Sequence, residues 1–309
     1  MSKKSGSDED GETKYVKVQE KRLKLTHLDK VLYPEAGFTK AEVIDYYARI
    51  APTMLSHLKN RPLTLKRYPN GTDKDFFYEK HCPSHRPRWM ETIEVSGEDK
   101  TVNFCRVNNL PSLIWVANLA SLEMHTSLSL SKDLSRPTMM VFDLDPGPPA
   151  TLLQCLEVAV KLRELFEEYG LESFPKTSGG KGLHLYVPLN TPVTYDETKS
   201  SAREFARLME KRHERLVTAN MRKELRKGKV FIDWSQNDHH KTTVCAYSLR
   251  ARGRPTVSAP VQWKECEKAL KRSDPSMLVW EAEGMLKRVE RQGDLFEPVL
   301  SLKQKLPSL

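Results

Sequence analysis

Apolar residues recur along this chain with two periods, one helical and one strand-like, and the predicted elements alternate accordingly. Val43, Ile44, Tyr47, Ile50, Met54, Leu55 and Leu58 fall on one face of a 3.6-residue repeat. Thr39 and Glu42, three residues apart, spell a capping box that opens this helix. A strand-like run from Leu63 to Tyr68 ends at the turn residues Pro69, Asn70 and Gly71. The apolar stretch Met139-Met140-Val141-Phe142 predicts a short strand that runs through Asp143-Leu144-Asp145 and stops at Pro146-Gly147. A helix is expected from Thr151 through Leu156, Val160, Leu162 and Phe166 to Gly170. A strand over Gly182 to Pro188 follows, then a long helix capped by Thr194 and Glu197. Further strands are expected over Val230 to Trp234 and Thr242 to Leu249, and Asp274 with Pro275 predicts the cap of a last helix. Residues 1 to about 21 are polar and aperiodic, the pattern of a disordered tail.

Composition narrows the class. A chain of 309 residues can bury a sizeable core in one large domain or two smaller ones. The net charge of +9 fits a polyanionic partner, or simply a solvated basic surface. The five cysteines (Cys82, Cys105, Cys155, Cys245 and Cys266) are scattered and form no C-x-x-C pair, so reduced thiols in an intracellular protein are expected. The first fourteen residues lack the apolar core of a signal peptide. The most apolar stretch, Leu110 to Leu122, contains Pro111 and Asn118 and is too short to cross a bilayer. The expectation is a soluble protein.

Candidate chemistry begins at Asp143 and Asp145. Side chains at i and i+2 share one face of a strand, so the two carboxylates project together while Phe142 and Leu144 face the core. Like charges this close favour protonation of one of them unless a cation intervenes. Mg²⁺ and Mn²⁺ suit such all-oxygen sites and pair with phosphates. The pair alone also fits an exposed strand end running into a Pro-Gly turn. Thr177-Ser178-Gly179-Gly180-Lys181-Gly182-Leu183-His184 places three glycines in four positions, where backbone N–H groups can approach an anion and Lys181 adds charge. The spacing is not that of a Walker loop. A glycine hairpin over a hydrogen-bonded core histidine is the alternative. Asp233, in the apolar run Val230-Phe231-Ile232-Asp233-Trp234, needs a partner if ionised. Asp143, Asp145 and Asp233 together would form a site for two divalent ions, able to orient a 3′-hydroxyl and stabilise departing pyrophosphate.

The order of FDLDPG, SGGKGLH, FIDWSQN and YSLRARGRPTVSAPVQW, from about Leu23 to Leu306, resembles the polymerase domain of the bacterial and archaeal DNA ligase D family. That family lies within the archaeo-eukaryotic primase superfamily. The resemblance implies an α/β (α+β) primase-polymerase fold with an RRM-like catalytic sheet flanked by helices. Residues 22–309 would form the domain, with DNA-contacting elements in 22–130 and the catalytic core and C-terminal helices in 131–309. It implies nucleotide addition, ribonucleotides by preference or deoxyribonucleotides, to DNA 3′-ends at breaks in non-homologous end joining. Asp143, Asp145 and Asp233 would bind two divalent cations, Mn²⁺ or Mg²⁺. Ser178, Lys181, His184 and Arg250 would contact the triphosphate, with Lys66 and His125 near the incoming nucleotide. Phe76 and Phe77 would stack on template bases, as aromatics do without reading sequence. Lys30 and Lys40 would hold a downstream 5′-phosphate, and Arg226 and Gln236 would lie on the DNA side. Implied partners are gapped or broken DNA, NTP or dNTP, Ku and a DNA ligase, in the prokaryotic cytoplasm at the nucleoid and with no membrane.

Several features depart from that pattern or stand outside it. His27-Leu28-Asp29-Lys30 replaces the Asn-Pro-Asp-Lys of many relatives, so the phosphate contact implied there is left unassigned at His27. Arg203 to Lys229 holds ten Lys or Arg against four acids, a solvated face or a DNA-side run. Asp238-His239-His240 resembles a phosphoesterase signature but falls in a turn-like spot. His81, Cys82 and His85 lack a second ligand pair, so no structural zinc is expected. The K-x-D-G adenylation motif of a ligase is absent, which fits a free-standing polymerase or an excised domain. Two other readings are a catalytically silent module that bridges DNA ends and a repair primase or excision-repair gap filler of the same superfamily. Intact carboxylates argue against the first.

Overall fold

Three capping boxes open three long helices where the sequence places them. In the computed structural model, which describes residues 13–96 and 101–308, Thr39 Oγ1 accepts the Glu42 N–H at 3.3 Å while Glu42 accepts the Thr39 N–H at 2.7 Å. The helix Lys40–Leu58 follows. Thr151 and Gln154 open Leu152–Glu168, and Thr194 and Glu197 open Tyr195–Arg212. Such caps contribute about 1 kcal/mol each, because they satisfy N–H groups that have no partner within the helix.

Two larger sheets hold most of the strands among the described residues. The first runs, in spatial order, Phe174–Thr177, Leu183–Pro188, Met139–Pro146, Val230–Asp233 and Val217–Thr218. Its pairs are antiparallel except the last, which is parallel. Met140, Phe142 and Leu144 are fully buried on one face beneath Leu152–Glu168 and Tyr195–Arg212, with Phe142 and Phe166 ring centroids 4.9 Å apart. The opposite face changes character along the same strand: Met139 and Val141 join the second core, and Asp143 and Asp145 come next. This is the α/β architecture expected, with helices flanking a catalytic-type sheet. The other sheet runs Thr243–Val244, Ser121–Thr126, Leu63–Arg67, Thr101–Cys105 and Thr92–Ser96, with Phe77–Glu79 paired to Leu63–Arg67. Its core includes Lys40–Leu58 residues and also residues far along the chain, such as Tyr247, Met285 and Phe296.

Four expectations need correction. Thr13–Val18 is not part of a disordered tail; it pairs with Lys21–Thr26, because alternating Val16, Val18, Leu23 and Leu25 gain a core to pack on. Residues 1–12 of that tail lie outside the described residues. The strand over Thr242 to Leu249 shrinks to Thr243–Val244, since Tyr247 sits at φ 67° and breaks the pleat. Its hydroxyl donates instead to Asp294 at 2.7 Å. Asp274 caps only the short turn Pro275–Leu278, because it accepts the Ser276 N–H two residues on; the final helices are Ala282–Gln292 and Pro298–Ser301. Cys82 and Cys105 form a disulfide rather than free thiols, because the segment after Lys80 folds beside Thr101–Cys105 and Cys82 N–H donates to Asn103 O at 2.6 Å. Cys155, Cys245 and Cys266 are free and buried.

Candidate active site

Strand register assembles the acidic centre. Asp143 lies directly opposite Asp233 on one neighbouring strand and opposite His184 on the other. Directly opposed residues share a face, so Asp143, Asp145, Asp233 and His184 converge although ninety residues separate the first from Asp233. His184 Nε2 lies 3.2 Å from Asp143 Oδ1, and His184 Nδ1 accepts from Lys176 Nζ at 3.1 Å. Burial, with Lys176 close by, holds His184 below its ordinary value, so a neutral ring donates Nε2–H to the carboxylate. Burial alone would raise Asp143, but His184 and Lys176 outweigh it and keep the carboxyl below its usual range. Asp145 opens to the cleft, yet surrounding walls strip much of its hydration and Asp143 and Asp233 add repulsion, pushing it up to about 7. Asp233 accepts from Ser235 N–H at 3.0 Å and from Gln236 Nε2 at 3.0 Å, which fixes its orientation.

The glycine loop stands beside this centre. Gly179 adopts φ +70°, and a Cβ there would lie 2.7 Å from Val257 O. The N–H groups of Gly180 and Gly182 donate to Ser178 Oγ at 3.2 and 3.1 Å, so they are engaged within the loop rather than pointed at an anion. Arg250 Nη1 donates to Ser178 O at 2.6 Å. A cleft of about 940 Å³ is lined by Asp143, Asp145, His125, Ser178, Lys181, His184, Arg226, Gln236 and Arg250. Arg226 stacks 3.6 Å over the Phe231 ring.

The second sheet supplies the facing wall. Its register sets Thr64 opposite His125 and Lys66 opposite Glu123. Glu123, almost wholly buried, lies 3.0 Å from His125 Nε2, 3.3 Å from Arg250 Nε and 3.6 Å from Lys66 Nζ. Burial would raise its carboxyl, but these three partners bring it down to about 2. Lys66 opens not to the main cleft but to an adjoining one, where its Nζ sits 4.1 Å from the Phe76 ring centre; Arg250 borders both. Phe76 and Phe77 are exposed rather than core, 48% and 44%. Lys30 and Lys40 meet in a third cavity of about 740 Å³. Lys40 is buried, donates to Thr26 O at 2.7 Å and is lowered to about 8, chiefly by burial and then by Lys30 and Arg67.

The family model of the LigD primase-polymerase domain matches residues 39–296. The chain belongs to that family. The multifunctional non-homologous end joining protein LigD of Mycolicibacterium smegmatis is 44% identical over 280 residues, 90% of this chain and 36% of that protein. The bifunctional LigD of Bacillus subtilis is 30% identical over 273 residues, 88% of this chain and 43% of that protein. The chain thus spans well under half the length of these relatives. The polymerase domain of Mycobacterium tuberculosis ligase D, solved in complex with DNA, superposes with a TM-score of 0.84 at 40% identity, covering 92% of this chain and 99% of that one.

Within this LigD-family domain, sequence reasoning missed Lys176 and Glu123. Each is a charged residue inside an otherwise apolar strand, Phe174-Pro175-Lys176-Thr177 and Ser121-Leu122-Glu123-Met124, and that contrast is the signal that could have found them. Asp238, His239 and His240 bring ligand atoms within 4.8 Å of one another, but Lys199 already pairs with Asp238 at 2.6 Å. Among the described residues no helix is long and apolar enough to cross a membrane.

Proposed function

We propose that this LigD-family domain is a metal-dependent nucleotidyltransferase that adds ribonucleotides, or deoxyribonucleotides, to DNA 3′-ends and fills gaps at double-strand breaks in non-homologous end joining. Its partners would be Ku and a DNA ligase in a prokaryotic cytoplasm. One observation carries the reading: strand register sets Asp233 directly opposite Asp143, and Asp143 and Asp145 line a cleft together with Lys181, Arg226 and Arg250.

The donor set fits divalent metal. Asp143, Asp145 and Asp233 offer only oxygen, the ligand hard divalent ions take. The Asp145 carboxyl, crowded by two others, is the repulsion a cation would relieve. These residues would hold two ions, Mg²⁺ or Mn²⁺. Bound there, such ions supply Lewis-acid stabilisation of the attacking and leaving oxygens. His184 holds the Asp143 carboxylate in place, and Lys176 fixes the tautomer by donating to Nδ1. Because both ring nitrogens have protein partners, a phosphate oxygen reaching His184 must displace one of them. Lys181, Ser178 and Arg250 would neutralise the triphosphate, while Glu123 aims His125, Lys66 and Arg250 at the nucleotide side. Phe76 and Phe77 would offer stacking faces to template bases. Arg226 and Gln236 would meet the DNA, and Lys30 and Lys40 the downstream 5′-phosphate.

Primer extension on gapped DNA, with NTP or dNTP and Mg²⁺ or Mn²⁺, tests the reading. Template-dependent addition that requires the divalent ion is the expected result. No addition with any nucleotide and metal combination would remove it.

A further inference from the structure

We propose that the hairpin Thr13–Val18 and Lys21–Thr26 is a DNA contact surface that holds the backbone of the downstream strand beyond its 5′-phosphate. This rests on the reading of the Lys30 and Lys40 cavity as the site of that phosphate.

Register gives the hairpin two unlike faces. Thr13 opposes Thr26, Tyr15 opposes Lys24 and Lys17 opposes Arg22, so these six share one side. The other side carries Val16 opposite Leu23, with Leu23 and Leu25 buried to 2% and 7% exposure. The apolar side anchors the hairpin on the core and turns the basic side outward. Tyr15, Arg22, Lys24 and Thr26 then line the same cavity as Lys30 and Lys40, so the basic face and the phosphate site are continuous. Arg22 lies 4.3 Å over the exposed Tyr15 ring, which holds the guanidinium above the sheet surface.

Charge decides what this cavity fits. Arg22, Lys24, Lys30, Lys40 and Arg67 line it, with no Asp or Glu among the described lining residues. Arg67 is paired with Glu79 at 2.9 Å. Four cations remain, whereas a terminal phosphate carries roughly −1.5 to −2. Lys30 and Lys40 match that phosphate, leaving Arg22 and Lys24 for further backbone phosphates. A hairpin of two six-residue strands is about 20 Å long, enough to follow several nucleotides. Guanidinium and ammonium groups bind such phosphates without reading sequence.

The test compares wild type with the double variant Arg22→Gln/Lys24→Gln, in which both stems are kept and both charges removed. Anisotropy titrations use gapped DNA whose downstream strand is a dinucleotide or a dodecanucleotide, each cross-linked to the template at its last base pair so that it stays annealed, and each with a 5′-phosphate or a 5′-hydroxyl. Wild type should bind the longer strand more tightly, and the variant should lose that gain while still preferring the phosphate. Between about 50 and 200 mM salt, the variant's affinity should fall about tenfold less than that of wild type, as two lost phosphate contacts require. An equal length gain and equal salt slope in both proteins, with phosphate preference retained, would overturn the hairpin assignment alone. Loss of phosphate preference in wild type would overturn the reading of the cavity, and this inference with it.

Discussion

Asp145 sits where water is partly excluded and two other carboxylates are near, so its side chain is valuable only if something neutralises it. On the proposed reading, replacing it with alanine would remove a cation ligand and no DNA contact. Asp145→Ala should lower nucleotide addition by about 10³-fold, the several kcal/mol that metal stabilisation contributes. DNA affinity should stay near wild type, and a primer-extension time course beside a binding titration checks both. Glu123 is the converse case, a buried carboxylate with three cationic or N–H partners and a pKa drawn down to about 2 from 4.5. A lowered carboxyl stabilises the fold fully above its unfolded value, and that contribution disappears as pH falls through the folded one. Glu123→Gln should therefore cost about 1.5–3 kcal/mol at neutral pH. The gap to wild type should narrow steadily below pH 4.5, and urea unfolding at several pH values measures it. Asp143 and Asp145 were legible in the sequence because their relation is local. Glu123 was not, because its meaning depends on Lys66 and Arg250, which only the sheet register and a distant loop bring to it.

At the level of elements, the acidic strand ends where another segment presses on it. Gly147 donates its N–H to the Lys229 carbonyl at 2.8 Å, and a Cβ there would lie 1.9 Å from Arg226 O. The glycine of the Asp-Pro-Gly turn is thus required by a close approach from residues eighty positions away. Gly147→Ala should cost about 1–3 kcal/mol through overpacking and shift Arg226 away from the cleft. A lower melting temperature together with weaker DNA binding is expected; an unchanged melting temperature would show that the segment moves aside freely. The starts of Lys40–Leu58, Leu152–Glu168 and Tyr195–Arg212 were readable because capping pairs act over three residues. The Thr242 to Leu249 strand was misread because the positive φ of Tyr247 answers to Asp294, far along the chain.

Across the whole molecule, a net charge of +9 becomes specific only through placement. The third cavity gathers Lys30 and Lys40 in one basic pocket, and each charge-assisted contact to a phosphate contributes roughly 1.5–3 kcal/mol. DNA with a 5′-phosphate at the recessed end should therefore bind more tightly than its hydroxyl counterpart. Lys40 is lowered to about 8, so its charge is present below that pH and lost above it. The preference should weaken as pH rises through and beyond that value, with a bound phosphate drawing the midpoint upward. Titrations of both DNAs at one salt concentration across that range check it. Preference independent of pH would assign the phosphate to other cations.

The sequence by itself determined the starts of the three long helices, the alternation of strand and helix, the acidic strand with its two same-face carboxylates, and the family pattern of motifs. All of these are carried by residues within a few positions of each other, or by their order. Tertiary structure decided the rest. Pairing register set Asp233 and His184 beside Asp143, and burial set the charge of Lys40 and Lys176. A core formed by distant segments turned a polar N-terminal stretch into a two-faced hairpin, and chain return joined Cys82 to Cys105. Register, burial and convergence depend on partners tens to hundreds of residues away, and no local pattern encodes which partner arrives.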